Sequence, residues 1–162
     1  MNIVKIAAAV WLAILPQGLW AYGAVSAAAE KAPSLERMLT LAIEDEYLAR
    51  AEYRVILKAF GSVRPFSNII KAEERHIKML EPLFKKYGFK VPAAGAAAAH
   101  AVKPASLRAA LEAGVKAEEG NIAMYERFLA GELPGDVRET FGYLKAASEN
   151  HLAAFKRNLA RY

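Results

Sequence analysis

Within KAEERH, residues 71–76, a carboxylate and an imidazole stand three apart as Glu73 and His76. On a helix that spacing puts both side chains on one face, where they can reach a common ion. A second imidazole, His151, lies in KAASENHLAAF, residues 145–155, with Glu149 two positions before it. Residues two apart on a helix point about 200° away from each other, so Glu149 is expected to be solvated. The same-face neighbour of His151 is Ser148. The two imidazole motifs therefore differ at one position: the first has its carboxylate in place, and the second has a serine there.

The elements that must carry these residues are helices. Ala, Leu, Glu, Lys and Arg dominate the 162 residues, 55% of which are hydrophobic, and alternating β-branched runs are missing. Residues 1–27 form a separate segment: Lys5, the apolar run Ile6–Leu15, the breaker Pro16, then Val25-Ser26-Ala27 as a small-residue cleavage site. The pattern predicts a signal peptide and an exported chain, periplasmic or extracellular, with an inner-membrane anchor over residues 6–27 as the alternative. Cleavage would remove Lys5 and no acid, lowering the net charge from +5 to +4. The basic residues are dispersed and not interleaved with aromatics, which disfavours nucleic acid as a partner. With no cysteine, disulfides and thiolate metal sites are excluded.

Punctuation divides the remaining domain, residues 28–162, into helices over about 34–60, 65–87, 106–130 and 134–161. Ser34 is an N-cap, Gly61, Gly88 and Gly131 are stops, and Pro65 and Pro134 are starts. Residues 88–104 lack an amphipathic period and read as a crossover rather than a helix, its Ala run good for a turn or two and its His100 solvated. Two hairpins joined by one long connection make an all-α, ferritin-like four-helix bundle.

Each helix has an apolar stripe at steps of three and four, and each stripe is interrupted near its middle. The interruptions are Glu46, then Glu73 with His76, then Glu118, then Ser148 with His151. Burying an unpaired carboxylate costs several kcal/mol even after relaxation. Interruptions at one depth must therefore satisfy one another, and carboxylates alone repel. Three carboxylates and two imidazoles converging on a bundle axis suit one or two divalent transition metals. Without a metal, Glu73 and His76 would form a core hydrogen-bonded pair. The stripe phase favours Glu118 over its neighbour Glu119. Tyr53 and Tyr125 each follow a proposed ligand by seven residues, as core aromatics or as outer groups of the site. Glu44, Asp45, Glu52, Glu74 and Glu112 fall off the stripes and are expected to be solvated, and Arg50 is read as a surface residue.

Four stretches resemble a known family: EDEYLARAEY (44–53), FSNIIKAEERHIKML (66–80), ALEAGVKAEEGNI (110–122) and LKAASENHLAAF (144–155). They are similar to the bacterial and archaeal ferritin-like proteins filed as domain of unknown function 2202, relatives of rubrerythrin and ferritin. The resemblance covers roughly residues 35–160, and Ser-x-Asn-His-Leu-x-x-Phe is its most specific part. It implies a dinuclear metal site with ligands at Glu46, Glu73, His76, Glu118 and His151. Asn121 stands where the family often has an aspartate, and the crossover is shorter and richer in alanine than the family's.

Three carboxylates supply −3 against +4 for two divalent ions. The expected function is a di-iron site that oxidises Fe(II) or reduces O₂ or peroxide, an oxidoreductase of ferroxidase or peroxidase type. Iron, manganese and zinc are not distinguished by these ligands. In this reading Glu73 bridges, His76 and His151 each cap one metal, and Ser148, Asn121, Tyr53 and Tyr125 stand behind the ligands. The alternatives are a non-redox zinc or manganese binding or delivery protein, and a metal-stapled structural bundle. Expected partners are metal ions, O₂ or peroxide, and a second copy in a homodimer.

Overall fold

The computed structural model describes residues 33–162, and the expected signal peptide lies outside them. The described residues are all helical: α1 Leu35–Phe60, α2 Phe66–Tyr87, α3 Ala94–Ala98, α4 Leu107–Ala130 and α5 Gly135–Leu159. Four long helices pack as a bundle, with α1 mainly against α2 and α4 mainly against α5, and with α2–α5 and α1–α4 contacts closing it. None of the described helices is long and apolar enough to cross a membrane.

The helix ends follow from local chemistry. Ser34 and Ser106 cap α1 and α4, their hydroxyls accepting from the N–H groups of Arg37 at 3.2 Å and Ala109 at 3.1 Å. Gly88 takes the left-handed conformation after α2 with φ 71°, which a residue bearing a Cβ rarely adopts. Arg138 reaches back to the carbonyls of Leu129 (2.8 Å) and Gly131 (2.7 Å), so an α5 side chain satisfies the end of α4. Asp136, in the first turn of α5, accepts from Lys86 and Tyr87 at 2.7 Å each. These two bonds pin the end of α2 to the start of α5 and hold the Asp136 carboxyl down at about 2.

The crossover forms the turn or two that its Ala run allowed: Ala94–Ala98 close a short helix, α3. Alanine has the highest helix propensity, and α3 gains packing against α1, which a free Ala run would lack. Ala94 joins Phe89 and Val91 against the core there.

The apolar interior is in two parts. The larger one gathers Leu39, Ile43, Leu80, Phe84, Phe128 and Phe141 with their neighbours. The smaller one gathers Tyr53, Ile56, Phe66, Ile69, Leu111 and Phe155. Along α2, α4 and α5 the polar interruption of the stripe falls between the residues of one core and those of the other, and in α1 Glu46 stands just before Tyr47 and Leu48, the last residues of the larger core on that helix.

Candidate metal centre

That polar layer brings the five predicted ligands together. Glu73, His76 and Glu118 are each 3% exposed and Glu46 7%, while His151 lies nearer the surface. The Nδ1 of His76 stands 2.9 Å from Glu73 Oε2 and 3.2 Å from Glu46 Oε2. The Nδ1 of His151 stands 3.3 Å from Glu118 Oε1 and 3.5 Å from Glu73 Oε1. The two oxygens of Glu73 thus face different histidines. Two three-residue groups result, Glu46–Glu73–His76 and Glu73–Glu118–His151, and within each group the candidate ligand atoms all lie within 4.8 Å of one another. The imidazole rings stack at 5.8 Å and 25°.

The electrostatics are set by three carboxyls buried close together. Burial, then the charges of Glu46 and Glu118, push the Glu73 carboxyl well above its ordinary value. Burial raises Glu118 as well, against hydrogen bonds from His151 and Ser148. At Glu46 burial also acts upwards, but hydrogen bonds from Glu73 and His76 together with the nearby imidazoles of His76 and His151 outweigh it, and the net shift is downwards. Of the two facing carboxyls, Glu73 is thus the one whose protonation burial and neighbouring charge favour. A divalent cation could take the place of such protons, and this donor set of carboxylate oxygens and imidazoles suits one.

The groups expected behind the ligands take separate places. The Ser148 hydroxyl donates to Glu118 and stays buried. The Tyr125 hydroxyl is 3.4 Å from Glu46 Oε1. Tyr53 packs among Phe66 and Phe155, with ring centroids 5.5 and 6.2 Å away. Burial and the nearby carboxylates raise both phenols, so both are protonated. Asn121 Oδ1 is a buried side-chain acceptor with no partner, unique in this among the described residues. Leaving such an atom unmatched costs about 1–3 kcal/mol, and it stands one turn beyond Glu118.

Two acids depart from their expected places. Asp45 and Glu52, expected in solvent, are buried at 7% and 3% exposure. α1 packs against α2, α3 and α4, so it buries a wider arc than one stripe. Burial, then the Asp45 charge, pushes Glu52 up to about 9, so it is neutral near pH 7. Neither acid belongs to the two groups above. Glu74 and Glu112 are exposed and paired with Arg54 and Arg108, Glu149 is exposed and paired with Lys145, and Glu44 is half-buried. Arg50 lies over the Tyr47 ring at 5.4 Å. His100 is half-buried on the crossover, apart from both groups.

A cleft of about 220 Å³ between α2 and α5 opens onto both histidines. Arg75, Tyr143 and Asn150 line it with three alanines. Tyr143 is 51% exposed, and its ring stands edge-on to His76 at 6.0 Å. The stripes did not mark these residues. Tyr143, Ala147 and Asn150 do recur at helical spacing one position before Leu144, Ser148 and His151, and that neighbouring row was the available signal.

A solved structure, that of a hypothetical protein from Methanococcus jannaschii DSM 2661, is similar at 25% identity with a TM-score of 0.70, covering 82% of this chain and 85% of that one. Among curated proteins, none matches. The family model described as an uncharacterized protein domain, DUF2202, matches residues 35–161, a stretch that runs through all four long helices; the chain belongs to that family.

Proposed function

We propose that the chain is a ferritin-like carboxylate protein whose polar layer holds two divalent transition ions, iron foremost, and that it oxidises Fe(II) or reduces O₂ or peroxide. The observation that carries this reading is the division of Glu73 between His76 and His151, which gives two three-residue groups with one carboxylate in common. When bound, such ions would supply the one-electron steps of that chemistry. The chain's own residues do the rest. Glu46, Glu73 and Glu118 provide the negative charge, and His76 and His151 each end one group. The apolar cores on either side keep water from the layer, and the α2–α5 cleft is the route by which a small oxidant reaches the histidines.

The expected −3 from the carboxylates leaves a pair of divalent ions with one positive charge uncompensated. Ser148 stands where a fourth carboxylate would complete the second motif, so the Glu73–Glu118–His151 group would hold its ion more weakly. The test is to load the metal-free protein with Fe(II) under nitrogen, count the iron, then add O₂ or peroxide and follow the absorbance. About two irons per chain and an oxidant-dependent spectral change are expected. Less than about one iron, with zinc held tightly instead, would favour a non-redox zinc protein.

A further inference from the structure

The α2–α5 seam has a second cavity, of about 250 Å³, beyond the histidine cleft toward the α1–α2 loop and the end of α5. Arg64, Arg157 and Arg161 line it with Pro65, Asn68, Ala154 and Asn158, and none of the lining residues is acidic. Four arginines elsewhere have partners in the structure. Arg54 and Arg108 pair with carboxylates, Arg138 binds carbonyls, and Arg50 lies over an aromatic ring. None of the ion pairs between described residues engages Arg64, Arg157 or Arg161.

Stability accounts for part of this arrangement only. Cations in the last turn of α5 complement the negative end of the helix dipole, which explains Arg157. Arg64 is at the opposite kind of end. It directly precedes Pro65, the N-cap of α2, and the first turn of α2 has no acid. A cation there faces the positive end of a dipole and is unfavourable by itself. Three arginines and the N-terminus of α2 thus meet at one cavity, where the end of the α5 dipole is the negative element facing them.

We propose that this cavity binds a phosphate-class oxyanion. Guanidinium forks match the oxygens of a phosphate in pairs, which a halide cannot exploit. Asn68 adds an amide donor, whereas the Asn158 amide is committed to the Ala154 carbonyl at 2.8 Å. The site is independent of the metal centre, since it contains none of the five candidate ligands.

Calorimetry with inorganic phosphate tests this on the full metal-free chain, at fixed ionic strength maintained with chloride. One saturable site per chain is expected. The double variant Arg157→Gln/Arg161→Gln should weaken it at least tenfold, Arg64→Gln should weaken it measurably, and Arg75→Gln in the histidine cleft should leave it unchanged. All four arginines are exposed, so helix content by circular dichroism should stay constant. Absence of saturable binding, or an equal loss in Arg75→Gln, overturns the proposal. Because no metal is present, neither result bears on the proposed metal chemistry.

Discussion

The two halves of the polar layer are built from the same parts and differ in closure. In the Glu46–Glu73–His76 group every side chain is buried, and His76 lies within 3.2 Å of both carboxylates. In the Glu73–Glu118–His151 group the histidine is 12% exposed and its carboxylate distances are 3.3 and 3.5 Å. The residue one turn before the histidine makes the difference. In α2 that residue is Glu73, which serves both groups. In α5 it is Ser148, which only donates to Glu118. One substitution in an otherwise repeated motif thus accompanies one closer half and one looser half, with the cleft opening onto the histidines of both.

Removing the member that the two groups share should have the largest effect. Glu73→Ala should abolish both sites, weakening metal binding by at least about 100-fold, or about 2.7 kcal/mol, as measured by equilibrium dialysis. The histidines should separate the halves: His76→Ala is expected to cost the tighter ion, and His151→Ala only the weaker one. Ser148→Glu would sharpen the account from the other side. By completing the second Glu-x-x-His it should tighten the weaker ion about tenfold, about 1.4 kcal/mol, while Ser148→Ala should not.

Protons give a subtler handle on the same halves. Glu73 and Glu118 are both raised, so metal must displace protons from them. Affinity should therefore rise with pH above the ordinary carboxylate range, and calorimetry in buffers of different ionisation enthalpy should record proton release. Glu52 separates this effect from burial alone. Its folded value of about 9 lies above its ordinary 4.5, so the folded state binds the extra proton between them. The stability linked to that proton is full below pH 4.5 and is lost as pH rises toward 9, by at most about 1.4 kcal/mol per pH unit. Glu52→Gln should flatten this slope in denaturant titrations and leave metal content intact.

Much of the layer was readable from residue types and phase. Glu73 and His76 share a face by spacing alone, and the stripe of α4 selected Glu118, which is buried, over Glu119, which is exposed and paired with Lys156. Gly114 was also on that stripe. A Cβ there would meet the Phe155 ring at 2.6 Å, so the smaller core depends on its absence. Asp45 and Glu52 were misread because a stripe assumes one buried face, and α1 has neighbours on more than one side. The division of the Glu73 oxygens depends on the lateral placement of α2 and α5. Periodicity within single helices carries no information about that, and the same holds for the cleft between them.

The most direct test of the central claim is a metal titration of the wild type beside His151→Ala, with Zn(II) or anaerobic Fe(II), counting bound ions per chain. Two unequal sites in the wild type, and only the tighter one in the variant, are the result predicted here. Two equal sites, or a single ion whose affinity is unaltered in His151→Ala, would contradict a layer divided at Glu73.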